Sequence, residues 1–385
     1  MISEVSVLDN IKKVRVVFND DGTDTYEYDG EKVEFGDLAE NVEVIRKALT
    51  EYGIEVVESP LREDNLPEFI KEVSENKDEA ELIFNLCEGA FGYSAYEMNV
   101  AAILELFNLK FTGSGALTLG IALNKGWTKD VLKGAGVPTA DYVLLNDYPE
   151  SWELGLAFPL MVKPACEDAS LGIEVSSIVH NEAELEARVD YVFREFEQSV
   201  LVERYIEGRE FNISVFGNYD DVTTFPPSEI DFSGIPEGEP KICCYEAKWV
   251  EESPKYKKTM PMCPADVDEE LQEKLEDVAM RAYDVMGCKD YARVDMRVDG
   301  DNNVYVLEVN PNPDISTDAG LARGAKAYEL SYNELIVEIV TSAAGRYFDD
   351  PSAEEEDEDE DVEDMDEKVE AGDEEGEDED VVAEA

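Results

Sequence analysis

The chain is short of histidine, of basic residues and of long apolar runs. Its only histidine among 385 residues is His180, which excludes a histidine-based catalytic triad or a histidine-rich metal centre. Lysine and arginine number 32 against 93 aspartates and glutamates, a net charge of −61. Such a surface repels nucleic acid and anionic membranes, so neither is expected as a partner. No stretch approaches the roughly 18–20 apolar residues of a membrane span, and the N-terminus lacks a basic-then-apolar leader. The six cysteines, Cys87, Cys166, Cys243, Cys244, Cys263 and Cys288, lack paired zinc-ligand spacing. Reduced thiols and a cytoplasmic location are the expectation. Glycine is scarce where a phosphate loop would need it: the loop from Pro164 to Gly172 ends on a single glycine.

The charge is unevenly spread. Residues 349–385 carry 23 acidic residues and one base, Lys368, with Glu354 to Asp361 unbroken acid. This tail has almost nothing to bury, and disorder is expected from 348 onward. Upstream, apolar periodicity alternates between strand and helix. Strands are read at Val14–Phe18, Ile54–Val57 and Leu82–Leu86, with a small hairpin over Tyr26–Phe35. Helices carry Leu38, Val42, Ile45 and Leu49, then Ile70 and Val73, then Tyr96–Phe107. That order predicts a parallel-sheet α/β domain over residues 1–116.

A helix is read from Leu117 to Lys133, with Lys125 in its middle. Strands follow at Tyr142–Leu145, Leu160–Lys163, Ser199–Arg204 and Phe211–Phe216. A helix spans Asn181–Phe196, and Pro226–Pro240 reads as an irregular excursion. A long helix runs from near Asp266 to Gly287, and a last one over Tyr332–Ala344. Segments 117–198 and 199–347 are read as two further subdomains.

The densest chemistry lies from Tyr291 to Asn312. Two alternating runs flank Asp299-Gly300, a hairpin signal. A turn centred there sets Val298 opposite Tyr305, Asp295 opposite Glu308 and Arg293 opposite Asn310. It puts Val294, Met296, Val298, Tyr305, Leu307 and Val309 on one greasy face. Two carboxylates directly opposed repel unless a cation lies between them, and oxygen ligands of this kind suit Mg²⁺. From the hairpin alone an exposed charged sheet face is the preferred reading, and the rest of the chain supplies the other parts a metal site needs. Lys163 and Lys248 each end an apolar run, an awkward place for a charge unless an anion is near. Val200 to Ile206 reads as a buried strand running into a linker.

Together these pieces resemble the ATP-grasp superfamily, and within it the D-alanine–D-alanine ligase-like branch, from about Phe84 to Val340. The resemblance rests on Arg293-Val-Asp295 followed by Leu307-Glu308-Val-Asn310-Pro-Asn-Pro, and on Tyr245-Glu-Ala-Lys248 before Cys263-Pro-Ala. It rests too on Phe111-Thr-Gly-Ser-Gly115, Lys125 ahead of Pro138, Val162-Lys163-Pro164, and Val202-Glu203 with Glu210. It implies an ATP-grasp fold of α+β subdomains behind a Rossmann-like N-terminal domain. ATP phosphates would meet Lys125, Lys163 and Lys248. Glu203, Arg204, Tyr205 and Ile206 would line adenine, and Glu210 would hold ribose. Asp295, Glu308 and Asn310 would hold two Mg²⁺ ions, with Mn²⁺ as a substitute. Arg293 would stabilise the reacting centre beneath a lid through Ser170. The implied activity is carboxylate–amine ligation through an acyl phosphate, on amino acids or short peptides, with a homodimer allowed. A kinase phosphorylating a small molecule, or a non-catalytic nucleotide-binding module with an acidic interaction tail, stands as the alternative.

The chain departs from that family where substrate is chosen. No Gly-Gly-x-Ser-x-Glu stretch occurs at Val14 to Asp21, and the family's His-Gly is Glu88-Gly89. Pro313-Asp314-Ile315-Ser316 replaces a Pro-Gly-Met-Thr-type turn, Ala319 stands where a serine would hold the second carboxylate, and Ala169 replaces a lid serine. Glu88, Asp314, Ser316 and Asp318 are the candidates for an altered pocket, one suited to a cationic or amine-bearing substrate.

Overall fold

The computed structural model describes residues 7–20, 25–28, 31–34, 38–75, 80–167, 170–250 and 253–348. The acidic tail, and with it the expectation of disorder, lies outside the described residues.

The chain begins with strand β1 (Lys13–Asn19) and a hairpin of β2 (Thr25–Tyr28) and β3 (Glu31–Glu34). Next come helix α1 (Leu38–Glu51), β4 (Glu55–Leu61), α2 (Leu66–Glu75), β5 (Glu81–Asn85) and α3 (Glu97–Leu106). The larger strands form a parallel sheet in the order β4-β1-β5, as the alternating pattern predicts. Phe111 bridges Ile83 in parallel beyond its edge. Each crossover is a helix whose apolar stripe covers the sheet. Ile45 and Leu49 of α1 join Val14, Val16, Leu82 and Phe84 in one core.

The expected long helix over Leu117–Lys133 is two helices, α4 (Ala116–Leu123) and α5 (Lys125–Gly134). The break is at Asn124, whose backbone is extended. Its side chain accepts hydrogen bonds from the backbone N–H groups of Gly126 and Trp127, so it caps a new helix rather than continuing the old one. Lys125 therefore opens α5 instead of lying mid-helix.

Next come β6 (Tyr142–Leu145), β7 (Leu160–Pro164), β8 (Ile178–Val179), α6 (Glu182–Phe196) and β9 (Val200–Arg204). These strands form an antiparallel sheet in the order β6-β9-β7-β8. Strand β9, just past residue 198, pairs with β6 and β7.

The remaining elements are β10 (Arg209–Phe216), β11 (Thr223–Thr224), β12 (Ser228–Asp231), α7 (Tyr245–Trp249), β13 (Met260–Met262) and α8 (Glu269–Val285). They end with β14 (Tyr291–Val298), β15 (Val304–Asn310), α9 (Gly320–Ala327) and α10 (Tyr332–Phe348). Their sheet runs β13-β12-β10-β14-β15, with β11 beside β10. The stretch Pro226–Pro240 is thus not wholly irregular, since Ser228–Ile230 pairs with Glu210–Asn212. Helix α8 starts at Asp268, which caps the N–H of Leu271, and buries Leu271, Leu275, Val278 and Ala282. That stripe packs with Val294, Met296, Val298, Val304, Val306 and Val309. At about 1.5–3 kcal/mol per buried large side chain, this interface is a main source of the sheet's stability. Helix α10 returns to the first sheet, with Leu335, Ile339 and Val340 in the core of α1 and β1.

The hairpin register departs from expectation in an instructive way. The connection is five residues, 299–303, closed by Asp299 accepting from the N–H groups of Asp301 and Asn303. Asn302, not Gly300, has the positive φ. Val298 faces Val304 and Arg297 faces Tyr305, until a bulge between Asp295 and Met296 restores Asp295 opposite Glu308 and Arg293 opposite Asn310. Leu307 is the extra residue. A bulge flips the alternation of the strand carrying it. Val304, Val306 and Val309 therefore enter the core, and Tyr305 and Leu307 do not.

Candidate active site

The polar face of the third sheet is a ladder three strands wide. Its rows are Glu210–Arg297–Tyr305, Asn212–Asp295–Glu308 and Ser214–Arg293–Asn310. Side chains two apart on a strand share a face, so each strand contributes three consecutive groups to one surface. Asp295 is buried and fully engaged. Arg293 grips it through Nε and Nη2 at 2.8 and 2.9 Å. Asn212 donates to it at 2.8 Å and Asn310 at 3.3 Å.

The second sheet and α5 bring lysines to this face. The Lys125 Nζ lies 3.5 Å from Glu308 Oε2 and donates to the carbonyl of Glu167 in the lid loop. Lys163 and Lys129 each lie 2.7 Å from a different oxygen of Glu203. All three are buried. Burial opposes the charge of Glu203, yet the two ammonium groups hold its pKa at about 2. Burial also pushes Lys129 below its ordinary range, with Glu203 opposing. Glu308 is held at about 2 as well, against desolvation, by Lys125, Lys163, Arg293 and Lys248. Desolvation of Arg293 is more than offset by Asp295, Glu308 and Asp314, which keep it charged.

The strand-to-linker segment is tied down by Arg297. Its guanidinium donates to Glu210 at 2.7 Å, the Tyr205 hydroxyl at 3.2 Å and the Ile206 carbonyl at 2.9 Å, and also to the Lys241 carbonyl. Arg204 stacks on the Tyr305 ring at 4.9 Å. In the lid loop, Ser170 takes a left-handed backbone with φ of 63° and its hydroxyl donates to the carbonyl of Cys243 at 3.1 Å. Tyr245 N–H bonds to the carbonyl of Ile173, so the loop rests on the segment that carries Lys248. The Cys243 thiol, raised to about 12 by burial and Glu210, also feels Lys248 and Asp295.

The expected residues thus converge: Lys125, Lys163, Glu203, Arg293, Asp295, Glu308 and Asn310 through contacts or electrostatics, and Arg204, Tyr205, Ile206 and Glu210 one row along. Asp314 and Asp318 are exposed and engaged with Ser316 in their own turn. Asn312 joins the end of β15 to the Cys87 carbonyl at 3.1 Å, which brings the exposed Glu88 segment to the same end. Lys129, Asn212 and Arg297 went unread. Their signals were periodic: Lys129 is one helical turn after Lys125, Asn212 is two residues after Glu210, and Arg297 two after Asp295.

The donor set fits a hard cation and a polyphosphate. Among the described residues no group of three or more His, Cys, Asp or Glu side chains gathers as a cage. Asp295, Glu308 and the Asn310 amide offer one or two carboxylates and an oxygen, the share Mg²⁺ takes from protein when phosphate and water complete its shell. Lys125, Lys163, Lys248 and Arg293 all act on Glu308, and Lys129 and Lys163 on Glu203. Cations gathered this closely suit a polyphosphate.

Fold and site define an ATP-grasp enzyme. The family model for the D-ala D-ala ligase C-terminus matches residues 131–341. An uncharacterized protein, y4sG of Sinorhizobium fredii, is 34% identical over 269 residues, 69% of this chain and 76% of that protein. The D-alanine–D-alanine ligase of Haemophilus influenzae is 30% identical over 270 residues, 69% of this chain and 84% of the relative. In fold, the crystal structure of the Bacillus anthracis D-alanine–D-alanine ligase complexed with ATP aligns with a TM-score of 0.63 at 23% identity, over 86% of this chain and 97% of that one. The VanG D-Ala:D-Ser ligase of Enterococcus faecalis aligns with a TM-score of 0.64 at 19% identity, over 86% and 99%. The chain belongs to the D-alanine–D-alanine ligase family. It is a carbon–nitrogen bond-forming ligase that uses ATP and a divalent metal. Among the described residues no helix is long and apolar enough to cross a membrane.

Proposed function

We propose that the chain joins a carboxylate to an amine through an acyl phosphate, on substrates other than two D-alanines, with the ladder as its metal and phosphate floor. The observation that carries this reading is the middle row, where Asp295 and Glu308 stand opposite each other with Lys125 alongside. When bound, ATP supplies the phosphoryl group and the divalent ions neutralise the charge it carries. Asp295, Glu308 and Asn310 would hold two Mg²⁺ ions, or Mn²⁺. Rotating the Asn310 amide presents its oxygen instead of its nitrogen.

Lys125, Lys163 and Lys248 bind phosphate oxygens. Glu203 fixes Lys163 in place through their ion pair at 2.7 Å. Arg204, Tyr205 and Ile206 line the base, and Glu210 takes ribose, with Arg297 fixing both. Arg293 stays charged and offers a planar set of donors to the oxyanion formed when the amine attacks. The loop through Ser170 excludes water, which would hydrolyse the acyl phosphate. Ala319, Glu88 and the 313–316 turn support a substrate different from that of the Haemophilus relative. A homodimer in the cytoplasm is part of the same proposal.

The test is ADP and inorganic phosphate release by the purified chain over a panel of amino acids and short peptides. Asp295→Asn and Glu308→Gln should each lower the rate at least about 100-fold, by loss of transition-state charge stabilisation. Unchanged ADP release in both variants would refute the site. A stable phosphorylated product without free phosphate would refute ligation.

A further inference from the structure

A second arginine, Arg323, lies near Arg293. An ideal Cβ at Gly320 would sit 3.3 Å from Arg293 Cδ and 3.9 Å from Arg323 Nη2, so the two side chains flank the start of α9 together. Asp295 answers Arg293 bidentately, but among the described residues Arg323 has no such partner. Its Nη1 donates to a main-chain carbonyl, that of Asp318, and its Nε is buried without a hydrogen-bond partner. Burial first, and Arg293 as a like charge, push its pKa below the ordinary arginine value despite Asp318 and Asp314. Beside it opens a cavity of about 370 Å³ lined by Pro261, Cys263, Arg323, Lys326 and Ala327. In a chain with 93 acids and 32 bases, both charged residues of that lining are basic. The acidic residues expected to shape the pocket, Asp314 and Asp318, are turned to their own loop.

We infer that this cavity is a carboxylate subsite, and that the amine substrate is an amino acid bearing a second, side-chain carboxylate received by Arg323 and Lys326. The inference rests on the ligase reading above and reverses the expectation of a cationic substrate. A buried guanidinium nitrogen with nothing to donate to is costly. A carboxylate in the cavity matches the planar fork of the same guanidinium, usually through two bonds, and offsets that cost. Lys326, exposed at the rim, adds charge without a directional demand.

The experiment compares glutamate and aspartate with alanine, glutamine and lysine, in both chiralities, as stimulants of ADP release by the full chain with Mg²⁺-ATP. The acidic amino acids should stimulate most. Arg323→Met should raise their KM roughly 10- to 100-fold, as expected for losing a charge-assisted bond, with the KM for ATP unchanged. Arg323→Lys should recover part of the loss, and Lys326→Met should raise the same KM by less. Equal stimulation by alanine, or an acidic preference that survives Arg323→Met, would overturn the inference. A thermal-shift arm separates it from the ligase reading. If no amino acid stimulates turnover, yet glutamate or aspartate raises the Tm of the wild type and not of Arg323→Met, ligation fails and the subsite stands. An equal Tm rise with inorganic phosphate would make it a phosphate site, and no rise with any of them would refute it.

Discussion

Glu203→Gln tests the electrostatic core most directly. Glu203 lies between Lys129 and Lys163, each 2.7 Å away, and is 2% exposed. Its pKa falls from the ordinary 4.5 to about 2 on folding, which corresponds to about 3 kcal/mol of stability. Because the folded value is the lower one, this stability is fully present above about pH 4.5 and is lost as pH falls towards about 2. The glutamine variant lacks it at every pH and leaves two buried cations facing each other. A total loss of roughly 3–5 kcal/mol follows for a broken buried pair. For a body of this size, with unfolding entropy near 2 cal/mol/K per residue, that is a drop in Tm of about 4–7 °C. Differential scanning calorimetry at pH 7 and at pH 3 reads it. The difference between wild type and variant should be largest at pH 7 and clearly smaller, though not gone, at pH 3, because Glu203 is protonated in the folded state only towards about pH 2. Adding Lys129→Met should return part of the loss, since one of the two stranded charges goes with it. A variant whose Tm matches the wild type at pH 7, with the same pH dependence, would refute the account of Glu203 as the counter-ion of Lys129 and Lys163.

Two further outcomes follow from the neighbouring contacts. Arg297→Met frees Glu210, Tyr205 and the Ile206 carbonyl together, and the KM for ATP should rise about tenfold or more for a lost buried charged donor, while the preference among amine substrates is unchanged in the same assay. Asn124→Ala removes the cap that starts α5 one residue before Lys125. It should cost about 1 kcal/mol in chemical denaturation and weaken nucleotide binding measured by calorimetry, and an unchanged nucleotide affinity would show that Lys125 is positioned by its own contacts alone.

Much of this was legible because the residues concerned obey local rules. The parallel sheet followed from alternating apolar strands and helices, and α8 from the stripe at Leu271, Leu275, Val278 and Ala282 behind an acidic start. The opposed pair Asp295 and Glu308 was read correctly, though through a register wrong at the turn. The five-residue connection shifts the pairing by one and the bulge at Leu307 shifts it back. Nothing in the alternation of Val304 to Asn310 announces that bulge, because Tyr305 and Leu307 are as apolar as the valines that replace them in the core. The break at Asn124 was missed because Leu117 to Lys133 keeps helical periodicity across it, and only the asparagine's preference for capping argues otherwise. The short α9 was missed because Gly320, Gly324 and three alanines leave little apolar pattern, yet it carries Arg323.

By itself the sequence determined the residue types that chemistry at this site demands and the strands and helices that bear them, since period-2 and period-3.6 burial are properties of neighbours along the chain. What only the tertiary structure decided is which charges answer which. Glu203 became a counter-ion for two lysines, Arg297 a clamp on the nucleotide-side segment, and Arg323 a neighbour of Arg293 with an unanswered nitrogen. Those pairings join residues tens of positions apart, and the desolvation that makes them strong exists only once separate elements close over them.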